Sequence, residues 1–441
     1  MFSIVWSDTT SGAMPLIVKC RSRNSIQLIQ HEISRISCST GELRTDSHAW
    51  EQRQLGKVAQ RVTRKNLNNE CSRVLTASAE AGLIDQQEYF QKRVASHNLS
   101  HYYLLERGDF AYNHSSSGNA VLGIIKRLDA YDSGCLSTLY IVFHPKHDID
   151  SDYLLHYFES SAWHGDVAGM VTEGARNHGL LNISPDTFFT ARCSFPSLPE
   201  QRRIGKFFTT LDNLIAAAER QEALLRQKKQ AYLQLMFPCE GETQPRLRFS
   251  GFTEEWQELR LGKLYMKNTE RNGNQFDAEK TLSVSSMTFN PLGNGAAEES
   301  LASYKILRIA DAAFEGHTSN EFAFGRFVVN TVGAGIMSPR FASIRPTDFW
   351  WQSCDLDFWA CYLHDEGVMK RILVRSTKRG TMMNELVFDD FFAGKMRVPS
   401  LPEQRLIGQF FKTLDSLIAA AEKHTKYLHT LKGSYLQRML V

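Results

Sequence analysis

Several short polar segments of the sequence carry side chains that could contact nucleic acid. They are "RVTRKNLNNE" (61–70), "YNHSSSGN" (112–119), "EGARNHG" (173–179) and "RSTKRGT" (375–381). In the major groove arginine can bind guanine and asparagine can bind adenine through two hydrogen bonds, while lysine, serine and threonine bind phosphates. An ordinary solvated loop is the alternative interpretation of each segment. The candidate DNA-binding residues are Arg61, Arg64, Lys65, Asn66, Asn113, His114, Ser115, Arg176, Asn177, His178, Asn330, Arg340, Lys378 and Arg379.

The sequence shows no convincing catalytic motif. It contains no G-x-x-x-x-G-K-[ST] loop, so nucleotide hydrolysis by this chain is not expected. "NPLGNG" at Asn290 begins like an amino-methyltransferase motif but lacks its second proline and its aromatic residue. Ser115 beside His114 could imitate a nucleophile, but no G-x-S-x-G frame surrounds it and a polar turn is favoured. We therefore predict no catalytic residue and no metal site.

Composition narrows the class of protein. The chain has 441 residues, enough for two or more domains, and a formal net charge of +3 that permits nucleic-acid binding without indicating it. Its eight cysteines include no C-x-x-C pair, which favours reduced thiols over a zinc or disulfide framework. No apolar run reaches about 18 residues, and no basic segment precedes the apolar N-terminal residues. We expect a cytoplasmic protein without a membrane span.

The elements that must position these loops occur as a repeat. "PSLPEQRRIGKFFTTLDNLIAAAE" (196–219) returns as "PSLPEQRLIGQFFKTLDSLIAAAE" (399–422), and the two copies differ at four positions. "WEQRQLGKV" at Trp50 likewise returns as "WQELRLGKL" at Trp256. Between these landmarks the two halves look unrelated. Similar helices therefore accompany two unlike domains, which we call head 1 and head 2.

Each repeated segment predicts a long helix. Ser197-x-x-Glu200 and Ser400-x-x-Glu403 resemble capping boxes, and the apolar spacing that follows averages 3.5 residues, as in a coiled coil. An intramolecular coiled coil between the two copies is favoured over two helices that each pack only on their own head. The predicted coiled-coil and partner-contact residues are Ile204, Phe208, Leu211, Ile215, Leu225, Ile407, Phe411, Leu414, Ile418 and Leu428.

Short matches relate the two heads. "RGDFAYN" (107–113) aligns with "FGRFVVN" (324–330) as strands that end in an exposed asparagine, and "ARNHGLLNISPDTFF" (175–189) aligns with "KRGTMMNELVFDDFF" (378–392). The second alignment places Arg176 opposite Arg379. Alternating apolar residues in segments such as "STLYIVF" predict heads of mixed α/β structure with short strands.

The predicted fold class is α+β, with two mixed α/β heads separated by two long helices that form an antiparallel coiled coil of approximate two-fold symmetry. The predicted segments are an N-terminal extension without an assigned role at 1–49, head 1 at 50–195, a central helix at 196–238, a linker at 239–255, head 2 at 256–397 and a C-terminal helix at 398–441.

From Trp50 onward the chain resembles the specificity subunit of type I restriction–modification systems. The most specific mark is the P-S-L-P-E-Q-R-x-I-G-x-F-F helix, which occurs twice, and "EGARNHGLLNIS" with "STLYI" resembles one recurring type of target-recognition domain. The resemblance implies that each head reads one half of a bipartite, asymmetric site in double-stranded DNA. It also implies that the helices set the gap between the half-sites and dock two methyltransferase subunits, which two restriction subunits join.

The same resemblance implies that S-adenosylmethionine, ATP and Mg²⁺ bind to the partner subunits and that this chain binds no cofactor. Two other functions stay open at this point. One is a two-headed coiled-coil scaffold that binds proteins and not DNA, and the other is a self-sufficient nuclease or methyltransferase, which the missing motifs disfavour.

Overall fold

The computed structural model describes residues 50–92, 98–115, 120–171, 181–239, 241–290, 292–293, 295 and 297–441. The chain divides by compactness into two units. Unit 1 consists of the described residues up to Ala216 together with Tyr427–Val441, and unit 2 consists of Ala217–Lys426. Each unit thus holds one head and a part of each long helix. The predicted domain boundaries, which treat each helix as a separate segment, stay predictions.

Head 1, in unit 1, is made of short strands and short helices. Its strands are β1 (Glu51–Gln54), β2 (Ala59–Arg61), β3 (Leu75–Ser78), β4 (Gly82–Asp85), β5 (Tyr103–Glu106), β6 (Phe110–Asn113), β7 (Ile124–Arg127), β8 (Ser133–Leu136), β9 (Ile141–Pro145) and β10 (Arg192–Phe195). Its helices are α1 (Leu55–Val58), α2 (Gln86–Phe90), α3 (Ser151–Glu159), α4 (His164–Met170) and α5 (Pro185–Phe188).

A four-stranded antiparallel sheet of order β2-β9-β6-β7 forms the centre of head 1. Side chains alternate between the two faces of a strand, and both faces of this sheet are buried. Phe110 and Tyr112 of β6 join one apolar cluster, where Phe110 stacks on Phe143 with ring centroids 5.4 Å apart. Ala111, between them, joins a second cluster with Val142. The pairs β1–β10, β3–β4 and β5–β8 surround the sheet.

Head 2, in unit 2, has the same kinds of elements. Its strands are β11 (Gln257–Arg260), β12 (Tyr265–Lys267), β13 (Leu282–Ser283), β14 (Thr288–Phe289), β15 (Lys305–Leu307), β16 (Ala312–Glu315), β17 (Arg326–Val329), β18 (Gly335–Met337), β19 (Ala342–Pro346), β20 (Thr377–Lys378), β21 (Glu385–Leu386) and β22 (Lys395–Val398). Its helices are α7 (Leu261–Leu264), α8 (Asp348–Ser353), α9 (Leu356–Tyr362), α10 (Glu366–Ser376) and α11 (Phe388–Ala393), with 3₁₀ turns at Ala278–Lys280 and Glu298–Ser303.

The two heads share one plan. The central sheet of head 2 has the order β12-β19-β16-β17, strand for strand the order found in head 1. The pair β11–β22 corresponds to β1–β10, and β15–β18 corresponds to β5–β8. Both faces of this sheet are buried as well, since Phe314 of β16 joins one apolar cluster and Ala313 joins another. The similarity that the sequence hides over most of the heads is therefore present in their topology.

One of the two sequence alignments between the heads is wrong. The order of the sheets makes β6 equivalent to β16 and β7 equivalent to β17, so 107–113 matches 309–315 and 324–330 matches 122–128. Backbone bonds agree, because the amide of Leu128 donates to Asp109 O at 2.8 Å and that of Asn330 donates to Asp311 O at 2.7 Å. The sequence matched β6 of head 1 with β17, which is the neighbour of the true equivalent in head 2. The two segments look alike because each has an aromatic residue and ends in asparagine.

The two long helices begin where the sequence predicts. They are α6 (Leu198–Met236) and α12 (Leu401–Leu440). Among the described residues, no helix combines the length and the apolar character that crossing a membrane requires. Gln201 and Gln404, in the repeated P-E-Q motif, hold the helix starts. Each donates from its Nε2 to the carbonyl of the proline five residues before it, at 2.9 and 3.0 Å.

The N-terminal part of each long helix packs on its own head. In unit 1, Gln201 Oε1 accepts a hydrogen bond from the Asp150 amide at 3.0 Å, and in unit 2 Gln404 Oε1 accepts one from the Asp355 amide at 3.0 Å. A Cβ atom added at Gly205 would lie 2.7 Å from the Tyr153 amide nitrogen, so glycine allows this close approach. Much of the repeated motif therefore attaches each helix to its own head.

The two helices also pair with each other, and in both units they run antiparallel. In unit 1, Phe207 of α6 meets Tyr435 of α12 with ring centroids 5.1 Å apart. In unit 2, Tyr232 of α6 meets Phe410 of α12 at 5.0 Å, and residues earlier in α6 meet residues later in α12, as in the cluster of Leu225 and Ile418. The prediction of two α/β heads with two antiparallel paired helices is confirmed.

Candidate nucleic-acid interface

The end of β2 and the loop that follows it contain four of the predicted DNA-binding residues, and these differ in whether the head already binds their side chains. Arg61 is exposed, and its guanidinium lies 3.6 Å from the exposed carboxylate of Asp186. The Arg64 side chain is about as exposed, but its Nη2 donates to the buried Asp109 carboxylate at 2.8 Å. An ion pair at a solvent-exposed site is weak and easily exchanged, whereas a bond to a buried carboxylate is not. Arg61 can therefore reach a ligand, and Arg64 is engaged by its own head.

Lys65 and Asn66 are also engaged within head 1. Lys65 Nζ donates to the His101 carbonyl at 3.0 Å and stands 3.8 Å from the centre of the Tyr103 ring. Asn66 is fully buried, donates from Nδ2 to the Cys71 carbonyl at 2.8 Å, and accepts from the Cys71 amide at 3.0 Å. Its side chain closes the loop and is not available to a base.

Head 2 repeats these two contacts at equivalent positions. Arg271 Nη1 donates to the Ser303 carbonyl at 2.8 Å, as Lys65 does to His101. Asn272 is buried and exchanges two hydrogen bonds with Phe276, both of 2.8 Å, as Asn66 does with Cys71. A contact that recurs in both heads serves the shared fold. The signal was present in the sequence, because the offset of 206 that links "WEQRQLGKV" to "WQELRLGKL" also links "TRKN" to "TERN".

The same offset reveals a candidate that the sequence interpretation missed. Lys267 ends β12 at the position where Arg61 ends β2, and both side chains are exposed. Lys267 Nζ lies 4.7 Å from the centre of the Phe388 ring, which leaves the ammonium group on the surface. Both heads thus present a cation at the start of the same loop.

Asn113, His114 and Ser115 lie together at the end of β6 and are partly buried. Asn113 Oδ1 accepts from the Ser115 amide at 3.2 Å. The two ring nitrogens of His114 lie 2.9 Å from the Leu181 carbonyl and 2.7 Å from the Leu139 carbonyl. In this conformation His114 connects two loops and is not directed outward.

Asn330 is not the exposed residue that the sequence predicts. It is completely buried, and its Nδ2 donates to the carbonyls of Leu307, Arg308 and Gly333 at 3.2, 3.1 and 2.7 Å. Its Oδ1 accepts from the Val332 amide at 3.1 Å. The expectation of an exposed asparagine is wrong here, because the end of β15 and the turn after β17 present carbonyl groups to an internal donor.

The remaining candidates of head 2 lie on the surface. Lys378 is exposed and pairs with Glu385 across the β20–β21 hairpin at 3.3 Å. Arg340 and Arg379 are exposed, and neither forms an ion pair with any of the residues that the structure describes. These two arginines are therefore available to phosphates or bases. The predicted residues Arg176, Asn177 and His178 of head 1 lie outside the described residues.

All ten predicted coiled-coil residues are buried, but they serve two purposes. Ile204 and Phe208 belong to the main apolar cluster of head 1, which also includes Leu440. The equivalent Ile407 and Phe411 belong to the main cluster of head 2. Three of the other predicted residues, Leu225, Leu414 and Ile418, form a cluster between the two helices in unit 2. Because these side chains are internal, any partner of the helices must use other residues.

Two ion pairs cross between the helices at equivalent positions with the roles exchanged. In unit 2, Lys229 of α6 lies 2.5 Å from Asp415 of α12. In unit 1, Lys432 of α12 lies 2.6 Å from Asp212 of α6. The two lysines occupy equivalent positions in the two helices, where each interrupts the otherwise apolar spacing. An exchanged pair of this kind favours one register of two antiparallel helices.

His156, Glu159 and Asp212 form a cluster whose ligand atoms are close enough to hold a metal ion. Lys432 already occupies it, with Nζ 2.8 Å from Glu159 and 2.6 Å from Asp212. Burial alone would raise the pKa of Glu159, but hydrogen bonds from His156 and Lys432 outweigh burial and lower this pKa to about 2. A metal ion would have to displace the ammonium group, so the cluster works as a partly buried ion pair.

Comparisons with known proteins agree with this architecture. No protein-family model matches the sequence, and no curated protein sequence matches it. The S subunit of a type I restriction-modification system from M. genitalium has 11% identity and a TM-score of 0.53, over 89% of this chain and 96% of its own.

Two other solved structures match over a similar extent. The HsdS subunit from Thermoanaerobacter tengcongensis has 16% identity and a TM-score of 0.43, over 90% of this chain and 98% of its own. A chain from work on complex assembly and conformational transition of the type I R-M system has 16% identity and a TM-score of 0.47, over 88% and 97%. At such identities the likeness to the M. genitalium subunit shows a shared fold.

Proposed function

We propose that this chain is the DNA-specificity subunit of a type I restriction–modification complex and that it carries out no catalysis itself. Each head reads one half of a bipartite, asymmetric site in double-stranded DNA. The paired helices set the separation of the two half-sites and dock two methyltransferase subunits, and two restriction subunits complete the nuclease. S-adenosylmethionine, ATP and Mg²⁺ belong to those partners. The shared fold and the repeated helix motif support this proposal.

The observation that carries it is the contrast between framework and surface in the two heads. The residues that hold equivalent loops are similar, such as Asn66 and Asn272, whereas exposed residues at equivalent positions differ. Arg340, in the loop after β18, corresponds to the exposed Leu139 in the loop after β8. Two readers of unlike half-sites require this arrangement, because base recognition depends on surface side chains and loop placement depends on the framework.

The availability of cations supports contact with DNA. Arg61 and Lys267 occupy the same exposed position in the two heads, and Arg340 and Arg379 add free guanidinium groups to head 2. Phosphate contacts provide most of the affinity of such proteins, and they are formed by exposed lysine and arginine. We therefore assign DNA contact to these four residues before any other candidate.

The decisive experiment is expression of the chain with the methyltransferase subunit of its own system, followed by sequencing that maps methylated adenines. We expect one bipartite motif with a fixed gap between two unlike halves. A contiguous motif, or no methylation with a folded chain and an active methyltransferase, would contradict the proposal. Methyl transfer by the purified chain alone would instead support an enzyme, and DNA binding without a steep salt dependence would support the protein-binding scaffold.

A further inference from the structure

Each head buries one carboxylate at the start of the second inner strand of its central sheet. Asp109 precedes β6 and Asp311 precedes β16, and each residue is 1% exposed. A buried carboxylate is costly unless cations and hydrogen-bond donors surround it. The groups that surround these two residues therefore show which segments of each head the carboxylate holds together.

In head 1 the Asp109 carboxylate connects three segments. Arg64 Nη2, from the loop after β2, donates to it at 2.8 Å, and His144 Nδ1, from β9, lies 2.8 Å away. The amide of Glu106, at the end of β5, donates to it at 2.9 Å. Arg64 also lies 3.4 Å from the Glu106 carboxylate and donates from Nε to the Leu104 carbonyl at 3.3 Å.

In head 2 the Asp311 carboxylate connects the corresponding segments with other residues. Arg345 of β19 donates to it from Nε at 2.9 Å and from Nη2 at 2.7 Å. The amide of Arg308 donates to it at 2.8 Å. Glu270, from the loop after β12, accepts from Arg345 at 2.5 Å and from Arg308 at 2.5 Å. Arg345 Nη2 also lies 3.4 Å from the Ile306 carbonyl.

The two sets occupy equivalent places, and their charges are exchanged. The loop residue is basic in head 1 and acidic in head 2. The residue at the end of β5 is acidic, and the equivalent residue directly after β15 is basic. Only the buried aspartate is the same in both. The equivalent pairs are Arg64 with Glu270, Glu106 with Arg308, His144 with Arg345, and Asp109 with Asp311.

Exchange of the whole set, and not of one residue, follows from electrostatics. A glutamate placed alone at position 64 would put a third carboxylate beside Asp109 and Glu106. Residues in one charge network are not independent, so their substitutions combine non-additively. Both sets solve the same problem, which is to fix the first residues of the loop after β2 or β12 against the sheet.

That loop begins at the exposed cation of each head. Arg61 lies three residues before Arg64, and Lys267 lies three residues before Glu270. Lys65 and Asn66, with their equivalents Arg271 and Asn272, hold the following residues. Since Glu270 is acidic at a site where Arg64 is basic, an attraction to phosphate cannot be the shared role of this position.

We propose that Arg64 and Glu270 are positioning residues. By their contacts in the networks around the buried Asp109 and Asp311, they set the path of the loop after β2 in head 1 and after β12 in head 2. This inference rests on the proposed function, because it names how each head places its DNA-reading loop. It assigns Arg64 to the framework of head 1 and removes it from the residues that touch DNA.

The test is to transfer the network of head 2 into head 1. Arg64→Glu alone breaks the network, and the triple variant Arg64→Glu, Glu106→Arg, His144→Arg introduces the charged residues of head 2. Asn268 of head 2, which donates to Asp311 at 3.5 Å, is not transferred and corresponds to Val62. Arg64→Gln, which removes a charge without adding a repulsive one, is the milder variant in case Arg64→Glu does not fold. Each is made in the full chain and expressed with the methyltransferase, and the recognised motif and the melting temperature are measured.

We expect Arg64→Glu to lower the melting temperature and to relax one half-site by about tenfold or more for each base pair affected. The other half-site, read by the unchanged head 2, is the internal control and should keep its preference. The triple variant should restore the melting temperature, and it should bring the preference for the half-site to within about twofold of that of the wild type.

Three results would count against this inference. Restored stability without restored recognition in the triple variant would show that Arg64 touches DNA itself. No effect of Arg64→Glu or Arg64→Gln on either measurement would show that the network does not position the loop. A wild-type chain without a bipartite motif would overturn the proposed function and the recognition role with it, and the melting temperatures would then decide whether the network holds the fold.

Discussion

Single side chains in the loops of this protein are more often structural than their residue types indicate. Asn66 and Asn330 are both completely buried, and each satisfies backbone groups of its own turn. An asparagine side chain carries both a donor and an acceptor, so it can replace a missing backbone partner inside a tight loop. The exposed arginines Arg340 and Arg379 have no such task among the described residues, and they are the better candidates for contact with DNA.

This contrast predicts different effects of two substitutions in head 2. Asn330→Ala removes the Nδ2 donor that three carbonyl groups share and should lower the free energy of unfolding of unit 2 by about 1–3 kcal/mol. Arg340→Ala should change this free energy by less than about 0.5 kcal/mol. Urea unfolding of the full chain measures both values.

For DNA binding we expect the opposite order of effects, with Arg340→Ala changing the salt dependence of the affinity and Asn330→Ala leaving it unchanged. Arg340→Ala should reduce the slope of log affinity against log salt by about one, as expected for the loss of one phosphate contact. Asn330→Ala, measured under conditions in which it is folded, should leave the slope unchanged. An equal slope for wild type and Arg340→Ala would remove Arg340 from the interface.

The lowered pKa of Glu159 predicts that the stability of unit 1 depends on pH in the acidic range. Its folded-state pKa, about 2, lies below the ordinary value of 4.5 for a glutamate. A lowered pKa stabilises the folded state fully above the unfolded-state pKa, and the stabilisation is lost as the pH falls toward the folded-state value. Glu159→Gln should therefore reduce the stability of unit 1 by on the order of 2 kcal/mol at pH 7, and the reduction should shrink between about pH 5 and pH 2.

Urea unfolding of wild type and Glu159→Gln at pH 7, 5 and 3 measures this difference. Glu80→Gln, in the exposed turn after β3, is the matched control and should show no such dependence. His156, Asp212 and Lys432 also face Glu159, so each variant is compared with wild type at the same pH. A difference that stays constant down to pH 3 would contradict a lowered pKa for Glu159.

At the scale of elements, each long helix performs two tasks. Its first turns attach it to its own head through Gln201 or Gln404, and the remainder pairs with the other helix. Both tasks explain why the helix sequence is repeated so closely. Each helix attaches to an equivalent site at the start of α3 or α9, and each also pairs with the other helix. The two interpretations that the sequence offers, attachment to a head and mutual pairing, are both correct for different parts of the helix.

The two exchanged ion pairs should differ in strength. Lys432 is 16% exposed and binds two carboxylates, whereas Lys229 is 27% exposed and binds the half-exposed Asp415. Exposed pairs contribute about 0.2–1 kcal/mol, and burial increases the coupling. Double-mutant cycles with alanine at Lys229 and Asp415, and at Lys432 and Asp212, should give the larger coupling energy for the second pair. Equal couplings, or a larger one for the first pair, would contradict this ranking.

At the scale of the whole molecule, the two units repeat one plan while their surfaces differ. An exchange of one head should therefore change recognition of one half-site and leave the other half-site and the gap unchanged. The measurement is the methylated motif of a chimera in which 50–195 comes from another chain of the same fold. The control is a chain in which the original head 1 is rebuilt through the same junctions, which tests the effect of the junctions alone. A change in both half-sites of the chimera would contradict independent heads.

The sequence by itself determined the repeat, the two long helices, their antiparallel pairing and the presence of two α/β heads. Helix spacing and capping are local properties, and a repeated motif is visible without coordinates. It also showed Asn66 and Asn272 to be equivalent through a constant offset, although the partners of their side chains could not be read from it.

Tertiary structure alone decided which strands correspond and which polar residues are free. Strand order placed 107–113 opposite 309–315 and corrected the alignment, because short strands of one sheet share the same apolar pattern. Burial separated Asn330 from Arg340 and Arg379, and an ion pair with the buried Asp109 separated Arg64 from them. The cost of an unpaired buried group depends on neighbours that are distant in sequence. The charge exchange around Asp109 and Asp311 involves residues up to 80 positions apart, and only folding brings them together.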